Sequence, residues 1–218
     1  MGIGHRAYDA TVGRLFAGVY DRLMADTEEA GLSDRRHTIL AEASGRTVEL
    51  GAGTGLNLAH YPDGVEELIL TEPFPPMAKQ LRERAGDAAT VIETPADALP
   101  IPDASIDTAV ATLVLCTVDD VPATLAEVSR VLKPGGRLLF VEHVRSDDPG
   151  LARWQDRLNG LNQIVAHGCN CNRTTVDAIR AAGFDIVDLT RGELAKAPPF
   201  VRPMVVGTAT TSQIAAHG

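Results

Sequence analysis

Cysteine is scarce in this 218-residue chain, with one thiol each at positions 116, 169 and 171. So small and odd a number excludes a disulfide framework, and each thiol is read by its position. Long apolar runs are missing too, and no stretch suffices to span a bilayer. Positive charge is in short supply: 20 Lys and Arg against 29 Asp and Glu leave a formal net charge of −9. Phosphate binding needs a basic surface, so nucleic acid is disfavoured as a substrate or partner. No internal repeat or low-complexity tract stands out. The first residues carry Asp9 and Asp21 among apolar positions and show no signal-peptide pattern. A cytoplasmic protein with no membrane anchor, monomeric or homodimeric, is therefore expected. The wealth of Ala, Arg, Asp and Gly suits a high-GC bacterium. The remaining composition is that of a globular protein, 44% hydrophobic and 22% charged, with enough chain for one domain and a full core.

The most informative segment is Val48-Glu49-Leu50-Gly51-Ala52-Gly53-Thr54-Gly55. It reads as a short buried strand that ends at an acid and opens into a glycine turn. Glycine permits backbone conformations and close approaches that a Cβ blocks. A helix over 55–60 is expected next, offering free N–H groups to a ligand. The spacing E-x-G-x-G-x-G departs from the dinucleotide fingerprint G-x-G-x-x-G, because the third glycine comes one residue early.

Apolar runs at 46–50, 67–71, 89–93, 106–112, 136–142, 184–189 and 202–209 predict seven strands. Helical patterns fall at 8–25, at 33–44 with Ser33 as N-cap, and at 75–85, 121–132 and 172–182. Lys133-Pro134-Gly135-Gly136 is a turn signal. The stretch 145–171 reads as irregular, although Trp154 and Leu158 would suit a lid helix. Alternating β and α units predict an α/β fold. It is Rossmann-like, with a seven-stranded, mostly parallel sheet, helices on both faces and an antiparallel last strand. The expected division is a helical cap over 1–44, a cofactor-binding core over 45–145, and an acceptor-site lid with closing strands over 146–218.

The glycine motif resembles the first motif of class I S-adenosylmethionine-dependent methyltransferases. The segments VELGAGTGLNL, LTEP, ADALPIPDASIDTAV and VLKPGGRLLFVEHV extend that resemblance, and the middle pair is similar to the methyltransferase type 11 subgroup, which includes quinone C-methyltransferases. TLVLCTV, FVEHVRS, Trp154-Gln155, Gly168-Cys169, Asn172-Arg173 and Ala182-Gly183-Phe184 resemble the methyltransferase-like 7 group. That group contains thiol S-methyltransferases, and its membrane-anchoring N-terminal segment finds no match in the first residues here. The resemblance implies S-adenosyl-L-methionine as cofactor. It places Gly51, Ala52, Gly53 and Gly55 against the cofactor. Glu72, with Pro73 after it, accepts from the ribose hydroxyls. Asp97 and the Ala98 N–H meet the adenine, and Thr112 and Leu113 lie beside the sulfonium. Glu49 holds the methionine ammonium or orients the glycine loop, Tyr8 and Tyr20 close over the cofactor, and a helix-core role is the alternative for Tyr20. In open α/β sheets ligands sit beyond the carboxyl ends of strands, where these residues fall.

On the acceptor side, His143 ends the fifth strand and is expected to act as general base, with Cys169 lining the pocket. Arg173 offers a bidentate grip on a carboxylate or phosphate. His143, His167, Cys169 and Cys171 together offer nitrogen and sulfur ligands to a soft metal such as zinc, but C-x-C is not the usual zinc spacing, and no metal is expected. The acceptor is a small molecule. The resemblance favours a small thiol: a mycothiol-like compound, hydrogen sulfide or a xenobiotic thiol. C- or O-methylation of a quinone or phenol stays open, as does a non-catalytic S-adenosylmethionine-binding regulator.

Overall fold

The computed structural model describes residues 14–211, position 167 aside, with side chains from residue 18 onward. Tyr8 and His167 thus lie outside the described residues. The seven strands are β1 (Gly45–Leu50), β2 (Val65–Thr71), β3 (Thr90–Ile92), β4 (Ile106–Thr112), β5 (Leu132–His143), β6 (Phe184–Glu193) and β7 (Pro203–Thr211). They form one sheet in the order β3-β2-β1-β4-β5-β7-β6. The first five pair in parallel. β7 runs antiparallel to both β5 and β6, wedged between them. The expected fold class is the observed one.

Period-two alternation sends neighbouring side chains of the central strands to opposite faces. Ala109, Leu138, Phe140, Val205 and Ala209 join one core with α4 (Val121–Val131) and α6 (Thr175–Ala181). Val110, Leu139, Val141 and Met204 join a second core with α2 (Ser33–Leu40). α3 (Pro75–Ala85) covers β2 through Leu81 and Ala85. The Lys133–Gly136 segment bulges within β5: Ile106 faces Leu132, whereas Thr108, two residues on, faces Arg137. The turn signal there is absorbed as extra chain.

Three local expectations are corrected. α1 (Arg14–Thr27) runs on through Glu28–Leu32 into α2, with a kink at Gly31, whose φ of 117° is not helical. The chain is already helical at Leu32, so Ser33 does not cap. No regular helix follows the glycine loop. Only a single tight turn, Leu58–His60, precedes Tyr61, which is extended ahead of Pro62. The stretch expected to be irregular is mostly α5 (Pro149–Val165), capped by Asp148, whose side chain accepts the Leu151 N–H. Among the described residues no helix is long and apolar enough to cross a membrane.

Candidate active site

β1 delivers the chain to a loop in which Gly51, Gly53 and Gly55 all take positive φ, at 53°, 60° and 89°. Two anchors shape it. The Ala52 N–H donates to the Thr71 carbonyl at 2.8 Å. The Gly53 N–H donates to Glu72 Oε2 at 2.9 Å, while Glu72 Oε1 accepts from the Phe74 N–H at 2.8 Å. A carboxylate has about four acceptor positions, so Glu72 holds the loop and keeps lone pairs for a ligand's hydroxyls. Burial pushes it up to about 7, against the two backbone donors. A Cβ added at Gly53 would meet nothing within 4 Å, so the loop borders open space there. α1 is strapped to this loop by Asp21, which accepts from the Thr54 hydroxyl and pairs with Arg84 of α3, both at 2.6 Å. Tyr20 packs beside Phe74 and Met77.

Glu49 is buried at the end of β1 and accepts from the Tyr61 hydroxyl at 2.6 Å and from Asn57 Nδ2 at 2.9 Å. Asn57 also donates to Thr112 and accepts from Arg36, itself paired with Glu28. Burial pushes it to about 7, with Tyr61 and Asn57 opposing. Asp97 is exposed on the turn after β3, where the Ala98 N–H donates to the Pro95 carbonyl. Leu113, just past β4, has φ 56°. That left-handed conformation costs a non-glycine residue about 1–2 kcal/mol, and it starts the turn that runs through Val114–Cys116.

That turn is held by Glu142, fully buried, whose carboxylate accepts the N–H groups of Val114, Leu115 and Cys116 at 2.8, 2.7 and 3.1 Å. Burial pushes Glu142 to about 7 while the three donors oppose. Arg173 donates to the carbonyls of Leu115 and Val118 from the other side. The expected grip on an anionic acceptor is untested, and in this structure two of the five guanidinium N–H donors of Arg173 are engaged by backbone carbonyls.

The result is a cluster the sequence did not bring together. Cys116 Sγ lies 3.6 Å from Cys169 Sγ, and His143 Nδ1 lies 3.4 Å from Cys169 and 3.7 Å from Cys116. All three residues are buried. His143 Nε2 meets no partner among the described residues. The Cys116 thiol faces Cys169, and that contact, with His143, holds Cys169 below the usual thiol range. The same contact and burial push Cys116 up. Cys171 stands apart, pushed to about 11 by burial, and the grouping of His143 and Cys169 with Cys171 is replaced by one with Cys116. The loop bearing Cys169 is fixed by amides of α5: Asn162 donates to the Cys169 carbonyl, and Gln155 to those of Val144 and Cys171. Trp154 of the same helix is 55% exposed, with the Arg157 guanidinium 5.8 Å from its ring centre.

A methyltransferase domain model matches residues 48–140. The human thiol S-methyltransferase TMT1A is 30% identical over 89% of this chain and 82% of its own length. The Rattus norvegicus thiol S-methyltransferase TMT1B is 34% identical over 74% and 69%. The crystal structure of an S-adenosylmethionine-dependent methyltransferase from Thermotoga maritima superposes with a TM-score of 0.69 at 26% identity, covering 91% of this chain and 97% of that one. With the strand order, the glycine loop and the Glu72 anchor in place, the chain belongs to the class I S-adenosylmethionine-dependent methyltransferases, in the type 11 group with thiol S-methyltransferase relatives: it is an enzyme whose cofactor is S-adenosyl-L-methionine.

Proposed function

We propose that this enzyme methylates the sulfur of a small thiol. The observation that carries the reading is the buried Cys116–His143–Cys169 cluster at the carboxyl ends of β4 and β5, on the edge of the sheet where a class I cofactor binds. The relatives named thiol S-methyltransferases support the same acceptor. Bound S-adenosylmethionine supplies an activated methyl group, open to in-line displacement. Gly51, Ala52, Gly53 and Gly55 give its backbone cradle. Glu72, followed by Pro73, receives the ribose hydroxyls, Asp97 and Ala98 border the adenine, and Thr112 and Leu113 border the sulfonium end. Glu49 sets the loop through Asn57 and Tyr61.

The remaining work is to align a sulfur nucleophile, to exclude water and to remove its proton. A free thiol with pKa about 8.5 is only a few per cent thiolate at neutral pH. His143 and Cys169 border the acceptor end, and His143 is the basic group nearest the two sulfurs. The test is transfer of labelled methyl to a panel of thiols, phenols and quinones, read by mass spectrometry. Thioether products are expected. Turnover of a quinone or phenol with every thiol silent would overturn the reading.

A further inference from the structure

The Cys116–Cys169–His143 triangle has edges of 3.6, 3.4 and 3.7 Å. Zinc–sulfur bonds of about 2.3 Å and zinc–nitrogen bonds of about 2.0–2.1 Å, set at tetrahedral angles, place sulfur about 3.8 Å from sulfur and about 3.6 Å from nitrogen. The triangle therefore has the size of one face of a tetrahedral metal site. Its corners come from three separate elements, and each is fixed by its backbone. The Cys116 N–H is held by Glu142, and its carbonyl accepts from the Asn170 N–H at 2.7 Å. The Cys169 carbonyl is held by Asn162. His143 ends β5 in register with Met204 of β7. The residue is 7% exposed, yet Nε2 finds no partner among the described residues. No fourth His, Cys, Asp or Glu joins the three among those residues. The neighbouring carboxylate, Glu142, is turned to three backbone donors instead.

We propose that Cys116, His143 and Cys169 bind a thiophilic divalent ion such as zinc, with the fourth position open to the acceptor thiol. The role of that position rests on the thiol reading above; the three-residue site does not. When the acceptor coordinates, its S–H bond breaks and the proton leaves to solvent, while sulfur keeps the electron pair as a thiolate. That pair forms the new S–CH3 bond. The methyl–sulfonium bond breaks, and its electrons stay with the departing S-adenosylhomocysteine. The product thioether carries no negative charge, binds the ion more weakly and leaves. The ion stays divalent throughout. His143 then serves as ligand rather than base, with its remaining proton on Nε2.

Full-length protein, reduced and stripped with a chelator, is titrated with cobalt(II) as a coloured stand-in. One cobalt per chain is expected, with thiolate-to-cobalt charge transfer and intense tetrahedral visible bands. Cys116→Ser, Cys169→Ser and His143→Ala should each weaken binding about a hundredfold or more. Retained calorimetric affinity for S-adenosylhomocysteine would show these variants folded. Cys171→Ser should bind cobalt as the parent does, and 2-mercaptoethanol, but not phenol, should shift the bands. A reduced parent that takes up no stoichiometric cobalt, or folded variants that bind it equally well, would overturn the site and leave a hydrogen-bonded thiol pair. Bands indifferent to added thiol, or lost in His167→Gln, would overturn the open fourth position. Thiol methylation at an unchanged rate in metal-free protein would sink the metal's role and leave the thiol reading standing. Zinc-loaded protein that methylates only phenols or quinones would do the reverse.

Discussion

Gly51 and Gly53 sit two residues apart with nearly equal φ, yet substituting them should have different consequences. At Gly51 a Cβ would lie 2.4 Å from Val114 Cγ2. Val114 cannot yield easily, because its N–H is bound to Glu142 within the buried turn after β4. Gly51→Ala therefore combines left-handed strain of about 1–2 kcal/mol with overpacking of about 1–3 kcal/mol. The apo protein should lose about 2–5 kcal/mol, or about 4–20 °C in Tm for a chain of this size. At Gly53 a Cβ would meet nothing within 4 Å. Gly53→Ala should carry the strain alone, about 1–2 kcal/mol and about 2–8 °C. Its methyl group would instead occupy the space assigned to the cofactor. Differential scanning calorimetry without ligand, followed by isothermal titration with S-adenosylhomocysteine, separates the two. Gly53→Ala should be well folded and should bind at least tenfold more weakly. A Gly53→Ala protein that binds with parental affinity would show that the loop does not touch the ligand, and the assignment of the cleft would fall with it.

Glu72, raised to about 7 from 4.5 by burial, holds a proton in the apo protein that the unfolded chain releases near 4.5. On its account apo stability should fall as pH rises from about 4.5 through 7, while cofactor affinity, which needs the ionised acceptor, should fall as pH drops below 7. Glu49 and Glu142 are likewise buried and pushed to about 7, so the pH profile is to be measured in Glu72→Gln, Glu49→Gln and Glu142→Gln separately. Glu72→Gln should weaken cofactor binding at pH 8 by about 1.5–3 kcal/mol, or about 10- to 150-fold, and unchanged calorimetric affinity would remove Glu72 from the ribose. Glu142→Gln leaves one of three backbone donors facing an NH2 group and should cost about 1–3 kcal/mol, seen as a Tm lower by about 2–12 °C; a parental melt would mean that the nest does not hold the turn. Arg173→Lys should destabilise by about 1–3 kcal/mol as two carbonyls lose partners while changing KM equally for anionic and neutral thiols. A selective loss of anionic acceptors would return Arg173 to substrate binding.

The sheet was legible because its strands are dense apolar runs bounded by turn residues, and period and spacing suffice for such elements. α5 was not, because its pattern is inverted. The buried face carries Ala152, Gln155 and Asn162, while Trp154, Leu161, Ile164 and Val165 are exposed. Gln155 and Asn162 face inward to satisfy the carbonyls of Val144, Cys171 and Cys169, groups in irregular chain that would otherwise be buried unpaired. A binary pattern reads such amides as surface. After Gly55 the chain makes only one tight turn before Tyr61, which Pro62 holds extended.

The site divides the same way. Glu72 and the glycines act within about 20 residues of one another along strands that pair, so a local motif carries them. Cys116 belongs with residues 27 and 53 positions away, and nothing in its own neighbourhood marks it. The C-x-C pair drew attention to Cys171 instead, yet its thiol is no part of the cluster. One signal was available. β4 and β5 are adjacent parallel strands with Thr112 beside Val141, so residues just past their ends must be neighbours, and TLVLC and VEH each end in a thiol or an imidazole. The acid in VEH was the second clue. A Glu within a buried run needs several donors to stay there, and the donors open to it are the free N–H groups of a turn at the end of the next strand. Glu142 therefore implies a tight turn over Val114–Cys116, and that turn brings Cys116 to His143.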